Sequence, residues 1–552
     1  MTHYIQDYID LVKSGAVPVC REQLLLVAHV EKCFQTESIY VDEAQLERYM
    51  GQQKYFPYKL LEWETFVFAL HNCTYKAPGV LRWPIALIVV GRGAGKNGYL
   101  AFEDFCLITP INGIEKYNID MFANSEDQAR ATFDDIYDIL ESDERYFSKY
   151  FSWNQEKITN KKTKSTIKYH TKAPNTKDGG RPGKVDFDEL HQYVNSELLD
   201  VATTGLGKRP MPRRTYISTM GNVRDGPLDR FITKGLKVLE GTEPDGGWLY
   251  FICRLDSDAE IMQPEAWSKA NPSLLDPTRQ HLRDEIMLEF QEYKEDPAGH
   301  RAFATKRMNR PQGDQSTEVT SWENILAANQ PYPTPPDGAA FNAVYGIDFA
   351  DTRDFVAAGI LWKDGDLWCW KVHTWICKQS PELPRIRFPY MEAVERGEAE
   401  LVDEPLIPPE APCDWVEQQA EIYNLKFGAI DHFRLAILRK ALTERGWNPD
   451  PKKGNLKLTY RPEIMEAAPL ITSAFISHKI RWGDSMTMRW YVNNACRVID
   501  KNGNTLFEKI EPKTRKTDGF MAFVAAFIVA MKNEAIFEVL PDLSELPGPF
   551  FF

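Results

Sequence analysis

A glycine-rich loop has the composition of a phosphate-binding turn. Its residues are Gly91, Arg92, Gly93, Ala94, Gly95, Lys96 and Asn97. Glycines let backbone N–H groups turn towards phosphates, a following helix adds a positive dipole, and a lysine reaches the β- and γ-phosphates. The loop departs from the usual pattern at Val90, where a glycine is expected, and at Asn97, where a hydroxyl would hold Mg²⁺. Taken alone, the loop fits a phosphate site and an ordinary glycine-rich turn equally well.

An acidic pair follows a second apolar strand. Asp188 and Glu189 come directly after Val185–Phe187. ATP hydrolysis needs one carboxylate that serves Mg²⁺ and another that activates the attacking water, and these two side chains could take those roles. Asp186 competes for the first role by a two-residue shift, and most Asp-Glu pairs are simply solvated.

A third strand ends in two hydroxyl side chains, Ser218 and Thr219, within the run 216–222. Beside the glycine loop, these hydroxyls could sense the γ-phosphate and pass its state to a moving subdomain. A strand that simply ends in a Gly-Asn turn is the better interpretation of this run taken alone.

Three aspartates in the second half of the chain could hold metal ions. Asp348 lies within a strand, Asp431 ends a later strand, and Asp518 opens the last helix. Gathered together, they could hold two Mg²⁺ or Mn²⁺ ions about 4 Å apart for in-line cleavage of a phosphodiester, with Asp354 assisting. Each aspartate alone also fits a simple cap of a strand or helix.

One segment is strongly basic although the chain as a whole is acidic. Residues 157–184 contain eight Lys and one Arg against one Asp, a net charge of +8. Lys161, Lys162 and Lys164 are the candidate DNA-binding residues, because each neutralised phosphate adds salt-dependent affinity. A solvated hairpin or loop without a partner explains the segment equally well.

The composition excludes several classes of protein. The chain has 552 residues, of which 43% are hydrophobic and 26% charged, so it is neither disordered nor collagen-like. Its net charge of −13 excludes a protein that coats nucleic acid with its whole surface, but it permits a local basic groove. Nine cysteines without a CxxC motif argue against a disulfide framework or a zinc site. We expect a cytoplasmic protein, because the sequence has no secretion signal and no apolar run long enough for a bilayer.

The elements that must position these residues indicate two α/β regions. In the first, apolar strands alternate with helical stretches, which predicts a parallel sheet. Residues 327–340 contain four prolines and a glycine, which indicates a linker. Beyond it, three short strands with an Asp364-Gly365 turn predict an antiparallel meander, followed by α/β alternation.

The order of these motifs resembles the large subunit of tailed-phage terminases, the motors that package viral DNA. The resemblance covers about residues 55–534. It depends on the glycine loop as Walker A, residues 185–191 as Walker B, 217–222 as a coupling motif, and 345–354 and 516–523 as the two ends of a nuclease domain. Smaller likenesses lie at residues 61–63, 124–130 and 267–273.

This resemblance implies an α/β protein with an N-terminal P-loop ATPase domain of the additional-strand type and a C-terminal RNase H-like nuclease domain. The expected spans are a helical segment at 1–54, the ATPase domain with a lid subdomain at 55–326, the linker at 327–340, the nuclease domain at 341–535 and a tail at 536–552.

The family's functional roles carry over to matching positions of this sequence. ATP would contact residues 91–97, Asp188 would serve Mg²⁺, and Glu189 would be the hydrolytic base. Ser218 and Thr219 would couple hydrolysis to movement. Two Mg²⁺ or Mn²⁺ ions would bind the three aspartates Asp348, Asp431 and Asp518. Arg92 and Arg130 are both candidates for the arginine that stabilises the transferring phosphoryl group.

The resemblance also implies partners. These are double-stranded DNA, the portal protein of a procapsid, the small terminase subunit and further copies of the chain in a ring, with five as the expected number. We expect the ring to form transiently on the procapsid in the host cell cytoplasm, without membrane contact.

The sequence departs from the family pattern at two positions, and other functions compete with the terminase interpretation. Asn97 predicts a weakened ATPase, and Glu64 predicts relaxed base specificity because the family often has a Gln there. An ATP-driven translocase lacking cleavage, a non-hydrolysing assembly component and a stand-alone helicase are the competing functions. The aromatic tail 546–552 could dock on the portal or fold back onto its own domain.

Overall fold

The computed structural model describes most of the chain, in two compact units. The described residues are 1–171, 181–193, 196–221, 224, 226–297, 299–311, 318–332, 341–349, 354–386, 388–499, 503–510 and 515–537. The two units are Met1–Gln312 and Gly313–Phe552. The division lies before the proline-rich segment 327–340, because Val319, Ile325 and Ala328 pack in a core of the second unit.

The first unit is built from helices and parallel strands. Its α-helices are α1 (His3–Lys13), α2 (Arg21–Thr36), α3 (Glu43–Met50), α4 (Glu62–Cys73), α5 (Lys96–Ile108), α6 (Glu126–Ser142), α7 (Glu144–Phe147), α8 (Glu197–Thr204), α9 (Pro227–Leu239) and α10 (Gln280–Glu295). Its strands are β1 (Tyr40–Val41), β2 (Thr74–Ala77), β3 (Val80–Leu81), β4 (Ile85–Val89), β5 (Asn118–Ala123), β6 (Phe151–Asn154), β7 (Lys157–Asn160), β8 (Thr166–Thr171), β9 (Pro182–Phe187), β10 (Arg213–Ser218) and β11 (Trp248–Ile252).

An eight-stranded sheet in the order β11-β4-β10-β9-β5-β8-β7-β6 organises this unit. The strands from β11 to β8 are parallel, which confirms the predicted parallel sheet. The edge differs from the prediction, since β7 and β6 are antiparallel. Strand β10 lies between β4 and β9, so one extra strand separates the two strands that lead into the glycine loop and the acidic pair. Because parallel strands end at the same edge, both motifs lie there.

The second unit begins before its central sheet. Its α-helices are α11 (Trp322–Ala328), α12 (Tyr390–Glu395), α13 (Glu410–Gln419), α14 (Leu435–Glu444), α15 (Arg461–Ile476), α16 (Met486–Asn493) and α17 (Asp518–Lys532). Its strands are β12 (Asn342–Phe349), β13 (Phe355–Asp364), β14 (Leu367–Cys377), β15 (Ala399–Val402), β16 (Asn424–Asp431), β17 (Leu456–Thr459), β18 (Ile480–Arg481), β19 (Ala495–Ile499) and β20 (Thr505–Lys509).

The central sheet of the second unit has the order β15-β14-β13-β12-β16-β17. Strands β12, β13 and β14 form the predicted antiparallel meander, and Gly365 supplies the positive φ of its tight turn. Strands β16 and β17 then run parallel to β12. Three antiparallel strands continued by two parallel ones, with the first strand at the centre, form the RNase H-like arrangement that was predicted.

Helix α17 packs closely on the central strand β12. A Cβ atom at Gly346 would overlap the carbonyl oxygen of Ala522, so only glycine permits this approach. Asp518 precedes Ala522 by about one helical turn, and Asp348 follows Gly346 on the same face of the strand. The close approach therefore brings Asp518 towards Asp348.

Membrane contact was not expected from the sequence. None of the helices in the described ranges combines the length and the apolar character that a bilayer crossing requires.

Candidate active sites

The glycine loop is shaped by carbonyl groups that lie far downstream in the chain. The Gly91 N–H donates to the Ala270 carbonyl at 2.7 Å, and the Arg92 N–H donates to the Lys306 carbonyl at 2.7 Å. Asn271 Nδ2 donates to the Arg92 carbonyl at 3.2 Å, which tightens the same contact. The loop is thus held open as a preformed turn rather than left as a free connection.

Glycine is required at two positions of this loop. A Cβ at Gly91 would overlap the Arg307 carbonyl oxygen, and a Cβ at Gly93, whose φ is +89°, would lie 2.8 Å from the Arg307 guanidinium. Gly95 has φ +92° and precedes α5, whose first-turn amides have no intrahelical carbonyl to bond. These open amides and the helix dipole form an anion site.

Lys96 bridges the two residues of the predicted Walker B pair. Its Nζ lies 2.9 Å from Asp188 Oδ1 and 2.6 Å from Glu189 Oε1. Burial favours the neutral form of Lys96, but the two carboxylates outweigh it and raise its pKa. We call Lys96, Asp188 and Glu189 the phosphate-loop centre. It brings the predicted phosphate lysine and the predicted catalytic carboxylates into direct contact.

The two carboxylates of this centre differ in their environments. Burial raises the pKa of Asp188, against the opposing charge of Lys96. Burial also acts on Glu189, but the hydrogen bond from His191 and the charge of Lys96 outweigh it and lower the Glu189 pKa to about 2. Glu189 is therefore ionised at neutral pH in this arrangement. Its φ of +51° is unusual for a residue with a side chain and marks a constrained backbone.

A histidine connects Glu189 to the predicted coupling strand. His191 Nδ1 lies 2.9 Å from Glu189 Oε2 and 3.2 Å from Ser218 Oγ, and the His191 N–H donates to Ser218 Oγ at 3.0 Å. Thr219, buried beside Ser218, donates to the Met220 carbonyl. Sequence reasoning missed His191, although its position two residues after Glu189 was a usable signal. Asn222 of the predicted motif lies outside the described residues.

The rival aspartate Asp186 has a different environment. Lys184 Nζ lies 2.7 Å from Asp186, 2.8 Å from Glu103 and 2.5 Å from Asp104. All four side chains are buried in the core between α5 and β9. Asp186 therefore belongs to a structural ion cluster, whereas Asp188 contacts Lys96.

The two candidate arginines are placed differently. Arg92 belongs to the loop itself. Arg130, on α6, contacts Asp134 at 3.4 Å and lies over the Tyr169 ring, contacts that do not join it to the loop. A cation not foreseen from the sequence is Lys306, whose pKa is lowered by burial and by the charge of Arg92, with Glu189 and Lys96 also close enough to act on it. The Lys306 carbonyl accepts a hydrogen bond from the Arg92 N–H, so the backbone of Lys306 lies directly beside the glycine loop.

Two further predicted residues border the loop. Asn97 Oδ1 lies 3.3 Å from Lys96 Nζ, on the side of the loop that faces the carboxylates. Glu64 is buried, accepts a hydrogen bond from the Leu61 N–H at 2.7 Å, and has a pKa raised to about 8 by burial. A Cβ at Gly95 would lie 3.1 Å from Glu64 Oε1, so the two residues are neighbours.

The second unit brings its three predicted aspartates to one region. Ile347 of β12 pairs with Ile430 of β16, so Asp348 and Asp431 are adjacent at the ends of neighbouring parallel strands. Burial raises the pKa of Asp348, and the nearby charge of Asp518 raises it further. We call Asp348, Asp431 and Asp518 the aspartate centre.

Two lysines, Lys509 and Lys516, act on the charge of Asp518 without bonding to its oxygens. Its side chain is fully buried, and neither Oδ1 nor Oδ2 has a hydrogen-bond partner. Lys516, two residues earlier, instead contacts Asp354 at 2.6 Å and Glu382 at 2.5 Å. Burial raises the pKa of Asp518, and the charge of Asp354 adds to this rise, whereas the charges of Lys509 and Lys516 oppose it. An anionic group buried without a partner fits a cation that is bound during function.

The spread of the aspartate centre limits how metals could bind. Three ligands of one Mg²⁺ at about 2.1 Å lie within about 4.2 Å of one another. Among the described residues, the groups whose ligand atoms all lie within 4.8 Å are His29–Cys33–Asp245 and Glu103–Asp104–Asp186. The aspartate centre is not one of these groups, so its three carboxylates are farther apart than the ligands of one shared ion.

Basic residues of the predicted DNA-binding segment line a cavity distant from the phosphate loop. Lys161 and Lys162 border a space of about 620 Å³ that also contacts Tyr55, Phe105 and Tyr146. Lys161 Nζ donates to the Ser148 carbonyl, and Lys164, with φ +57°, lies in the turn between β7 and β8. Phe105 is near the far end of α5, roughly 15 Å from Lys96 at 1.5 Å per residue, so this cavity is not the phosphate site. Residues 172–180 of the segment lie outside the described residues.

Comparison with known proteins identifies the first unit. Residues 62–233 match the family model described as the terminase large subunit, ATPase domain. The chain carries a terminase large-subunit ATPase domain. The matched span includes the glycine loop, the acidic pair and the coupling strand, so the family predicted from the order of the motifs is confirmed.

The likeness extends along most of the chain. The terminase large subunit of Lactococcus phage SK1 is 22% identical over 464 residues, which cover 81% of this chain and 82% of that protein. The terminase large subunit of Lactococcus phage p2 gives the same identity and coverage. The crystal structure of the HK97 bacteriophage large terminase covers 89% of this chain and 100% of its own, at 17% identity and a TM-score of 0.47.

Proposed function

We propose that this chain is the motor subunit of a phage terminase, which hydrolyses ATP to move double-stranded DNA into a procapsid and cuts that DNA with a metal-dependent nuclease. The observation that carries the ATPase proposal is the contact of Lys96 with both Asp188 and Glu189 at the edge where the parallel strands end. The aspartate centre, with the unpartnered Asp518, carries the nuclease proposal.

In the ATPase step, phosphates compete with the carboxylates for Lys96. The Lys96 ammonium group then forms ion pairs with the β- and γ-phosphates in place of the two carboxylates. These phosphates lie against the open amides of the glycine loop and α5. The side-chain oxygens of Asp188 and Asn97 are then available for Mg²⁺. This ion, when bound, would neutralise phosphate charge. When the Lys96 ammonium group leaves Glu189 for the phosphates, a charge that keeps the pKa of Glu189 low is removed. Glu189 therefore becomes a better base towards the attacking water.

The histidine contact offers a route from hydrolysis to movement. His191 contacts Glu189 through Nδ1 and Ser218 through Nδ1 and its backbone N–H. A shift of Glu189 therefore changes the contact of His191 with the coupling strand. Ser218 and Thr219 are the coupling residues in this proposal. Arg92 is the loop's own candidate for phosphoryl stabilisation, whereas Arg130 would have to act on a neighbouring copy or after a rearrangement.

In the nuclease step, Asp348, Asp431 and Asp518 are the metal ligands. Two Mg²⁺ or Mn²⁺ ions, when bound, would stabilise the attacking and leaving oxygens of an in-line displacement. The three carboxylates, at the ends of β12 and β16 and at the start of α17, would hold these ions. Lys516 keeps Asp354 and Glu382 in place beside them.

The partners in this proposal are double-stranded DNA, a portal protein, the small terminase subunit and a homo-oligomeric ring with five copies. The ring would assemble in the host cell cytoplasm on the procapsid. The tail 546–552, proposed as a portal contact, lies outside the described residues. Deleting the last five residues should abolish packaging while leaving basal ATP hydrolysis intact; normal packaging would dismiss the contact.

One experiment tests both centres together. ATP hydrolysis with DNA and plasmid nicking in Mn²⁺ should be measured for the wild type, Lys96→Ala and Asp431→Ala. We expect Lys96→Ala to lose ATP hydrolysis by at least about a hundredfold but to keep nicking, and Asp431→Ala to show the opposite pattern. Nicking at the wild-type rate by Asp431→Ala would reduce the proposal to a motor without cleavage.

A second experiment tests the proposed DNA contact of the basic segment. Changing Lys161, Lys162 and Lys164 to Glu should weaken DNA-stimulated ATP hydrolysis and flatten its dependence on salt. The same three changes at Lys13, Lys32 and Lys237, in the same unit, keep the total charge equal and should leave the salt dependence unaltered. Equal salt dependence in both triple variants would remove the basic segment from the DNA-binding surface.

A further inference from the structure

An exposed phenylalanine lies beside the aspartate centre. Phe433 exposes 74% of its surface, more than any other large apolar side chain in the described ranges. It follows Asp431 by two residues, in the short 3-10 turn His432–Arg434. The turn needs no aromatic side chain for its geometry, and the ring has no core to pack against, so packing alone does not explain it.

Phe433 is one end of a row of three rings, in which the planes of Phe433 and His432 are tilted by 40°. The His432 ring centroid lies 3.8 Å from that of Phe433 and 4.5 Å from that of Tyr460, with 29° between the planes of His432 and Tyr460. Tyr460 is itself 44% exposed. We call His432, Phe433 and Tyr460 the aromatic surface. It presents ring faces and edges at an exposed site.

The aromatic surface is continuous with the aspartate centre. Asp431 Oδ1 accepts a hydrogen bond from the Phe433 N–H at 2.8 Å, so the carboxylate and the turn are held together. Tyr460 directly follows Thr459, which pairs with Asp431 across β16 and β17. A strand with a phosphate at the aspartates would therefore have its next nucleotide within reach of these rings.

The charges around the surface suit a nucleic acid. Arg434 follows Phe433, and its charge opposes the rise that burial causes in the Asp348 pKa, so it lies near the centre as well. Arg461 follows Tyr460 and is exposed. The nearby Glu463 is occupied, since it accepts from the Tyr460 N–H and pairs with Lys532. Rings flanked by arginines are the combination that binds unpaired nucleotides by stacking and phosphate contact.

We propose that the aromatic surface stacks an unpaired base next to the phosphate held at the aspartate centre. The proposal rests on the nuclease function proposed above and deepens it, because it names the substrate. The preferred DNA is a duplex with unpaired nucleotides at the cut, such as a gap or a frayed end. An intact duplex, whose bases are already stacked on each other, gains nothing from these rings.

The test uses the full chain and two DNA probes with Ca²⁺ in place of Mg²⁺ or Mn²⁺, so that the carboxylates can hold a cation, and through it the phosphate, during the binding measurement. One probe is a gapped duplex with 2-aminopurine as the unpaired base, and the other is the intact duplex with 2-aminopurine at the same position. The wild type should quench the gapped probe and bind it about tenfold more tightly than Phe433→Ala does, whereas the two proteins should bind the intact duplex equally.

Two variants separate stacking from folding. Phe433→Tyr keeps a ring and should restore quenching and affinity. Ile476→Ala removes an apolar side chain of the same unit that is 62% exposed, and it should behave as the wild type. Equal affinity of Phe433→Ala and wild type for the gapped probe would overturn the proposal, as would an equal loss on both probes. Loss of self-association in Phe433→Ala with unaltered DNA binding would assign the surface to a protein partner instead.

Cleavage of both probes in Mn²⁺ keeps this proposal separate from the nuclease proposal. Cleavage by the wild type without quenching would leave the nuclease intact and remove the stacking role. Quenching that Phe433→Ala loses, without cleavage by the wild type, would support the stacking role and remove the nuclease.

Discussion

The phosphate-loop centre and the aspartate centre neutralise their carboxylates in different ways. In the first, Lys96 lies within 2.9 Å of both carboxylates, so the anions have a cation supplied by the chain. In the second, both oxygens of the buried Asp518 lack a partner, and the nearby Lys516 contacts Asp354 and Glu382 instead. The first centre has a cation bonded to its carboxylates, whereas in the second Lys509 and Lys516 act on Asp518 without bonding to it.

This difference indicates how each centre responds to its ligand. A self-neutralised centre must break an ion pair when a nucleotide binds, and that exchange can be transmitted through His191. A centre without a bonded cation gains stability from metal binding, because the ions remove repulsion that the fold otherwise retains. The first centre should therefore exchange its ion pairs when its ligand binds, whereas the second should gain stability from metal binding.

The largest expected effect comes from removing the internal cation. Lys96→Ala leaves the buried Asp188 without a cation and Glu189 with only its His191 contact, which should destabilise the region around α5 and β9 by about 3–5 kcal/mol. Hydrogen–deuterium exchange of peptides from these two elements would measure it, with the exposed Lys149→Ala as the control. Unaltered exchange would show that the ion pairs contribute little and would weaken the contrast between the two centres.

A third carboxylate sharpens the comparison because it is neutralised by a proton. The Glu64 pKa is raised to about 8 by burial, against an ordinary value of 4.5. Between these two pH values the folded chain keeps a proton that the unfolded chain has released, so wild-type stability should fall as the pH rises through that window. Glu64→Gln should therefore add ~2–4 kcal/mol of stability at pH 8 and little at pH 4.

Chemical denaturation at several pH values, followed at the first unfolding transition, would measure the Glu64 effect. Glu62→Gln, two residues earlier on the same helix, is the control for loss of a carboxylate. A parallel shift of both variants at all pH values would contradict a buried, protonated Glu64.

The aspartate centre should respond in the opposite direction to the phosphate-loop centre. In EDTA, Asp518→Asn removes a buried charge next to Asp348 and should stabilise the second unit by about 1–2 kcal/mol. Mn²⁺ should stabilise the wild type but not this variant. Thermal unfolding with and without Mn²⁺ would measure both effects, with the exposed Asp366→Asn as the control. Destabilisation by Asp518→Asn in EDTA would mean that Lys509 and Lys516 already compensate the carboxylate.

The smallest expected effect concerns the unusual residue of the loop. Asn97 offers an amide oxygen on the carboxylate side of the loop, so Asn97→Thr should increase Mg²⁺ affinity in ATP hydrolysis by only about threefold, or ~0.7 kcal/mol. Titration of ATPase activity with Mg²⁺ would measure it. No difference between the variants would show that position 97 does not limit the first centre.

Sequence reasoning predicted the chemistry of each centre better than its surroundings. The glycine loop, the acidic pair and the strand with Asp348 could be recognised because strand patterns and motif order are local signals. The place of Asp186 in an ion cluster needed the fold, since only three-dimensional packing brings Glu103 and Asp104 of α5 to Lys184. Lys306 and Ala270 could not be assigned to the loop, because backbone carbonyl contacts across such sequence distances leave no residue pattern. The aromatic surface was also missed, since its rings are brought together by two different strand ends.

The carbonyl contacts of the glycine loop have a consequence for the order in which the chain is made. Gly91 and Arg92 depend on the carbonyls of Ala270 and Lys306, which the ribosome adds long after the loop itself has emerged. A nascent chain that ends near residue 233, where the family match ends, therefore has the loop's sequence but not its shape. Nucleotide binding during synthesis should begin only after residue 306 has left the exit tunnel. Until then we expect the growing chain not to bind ATP.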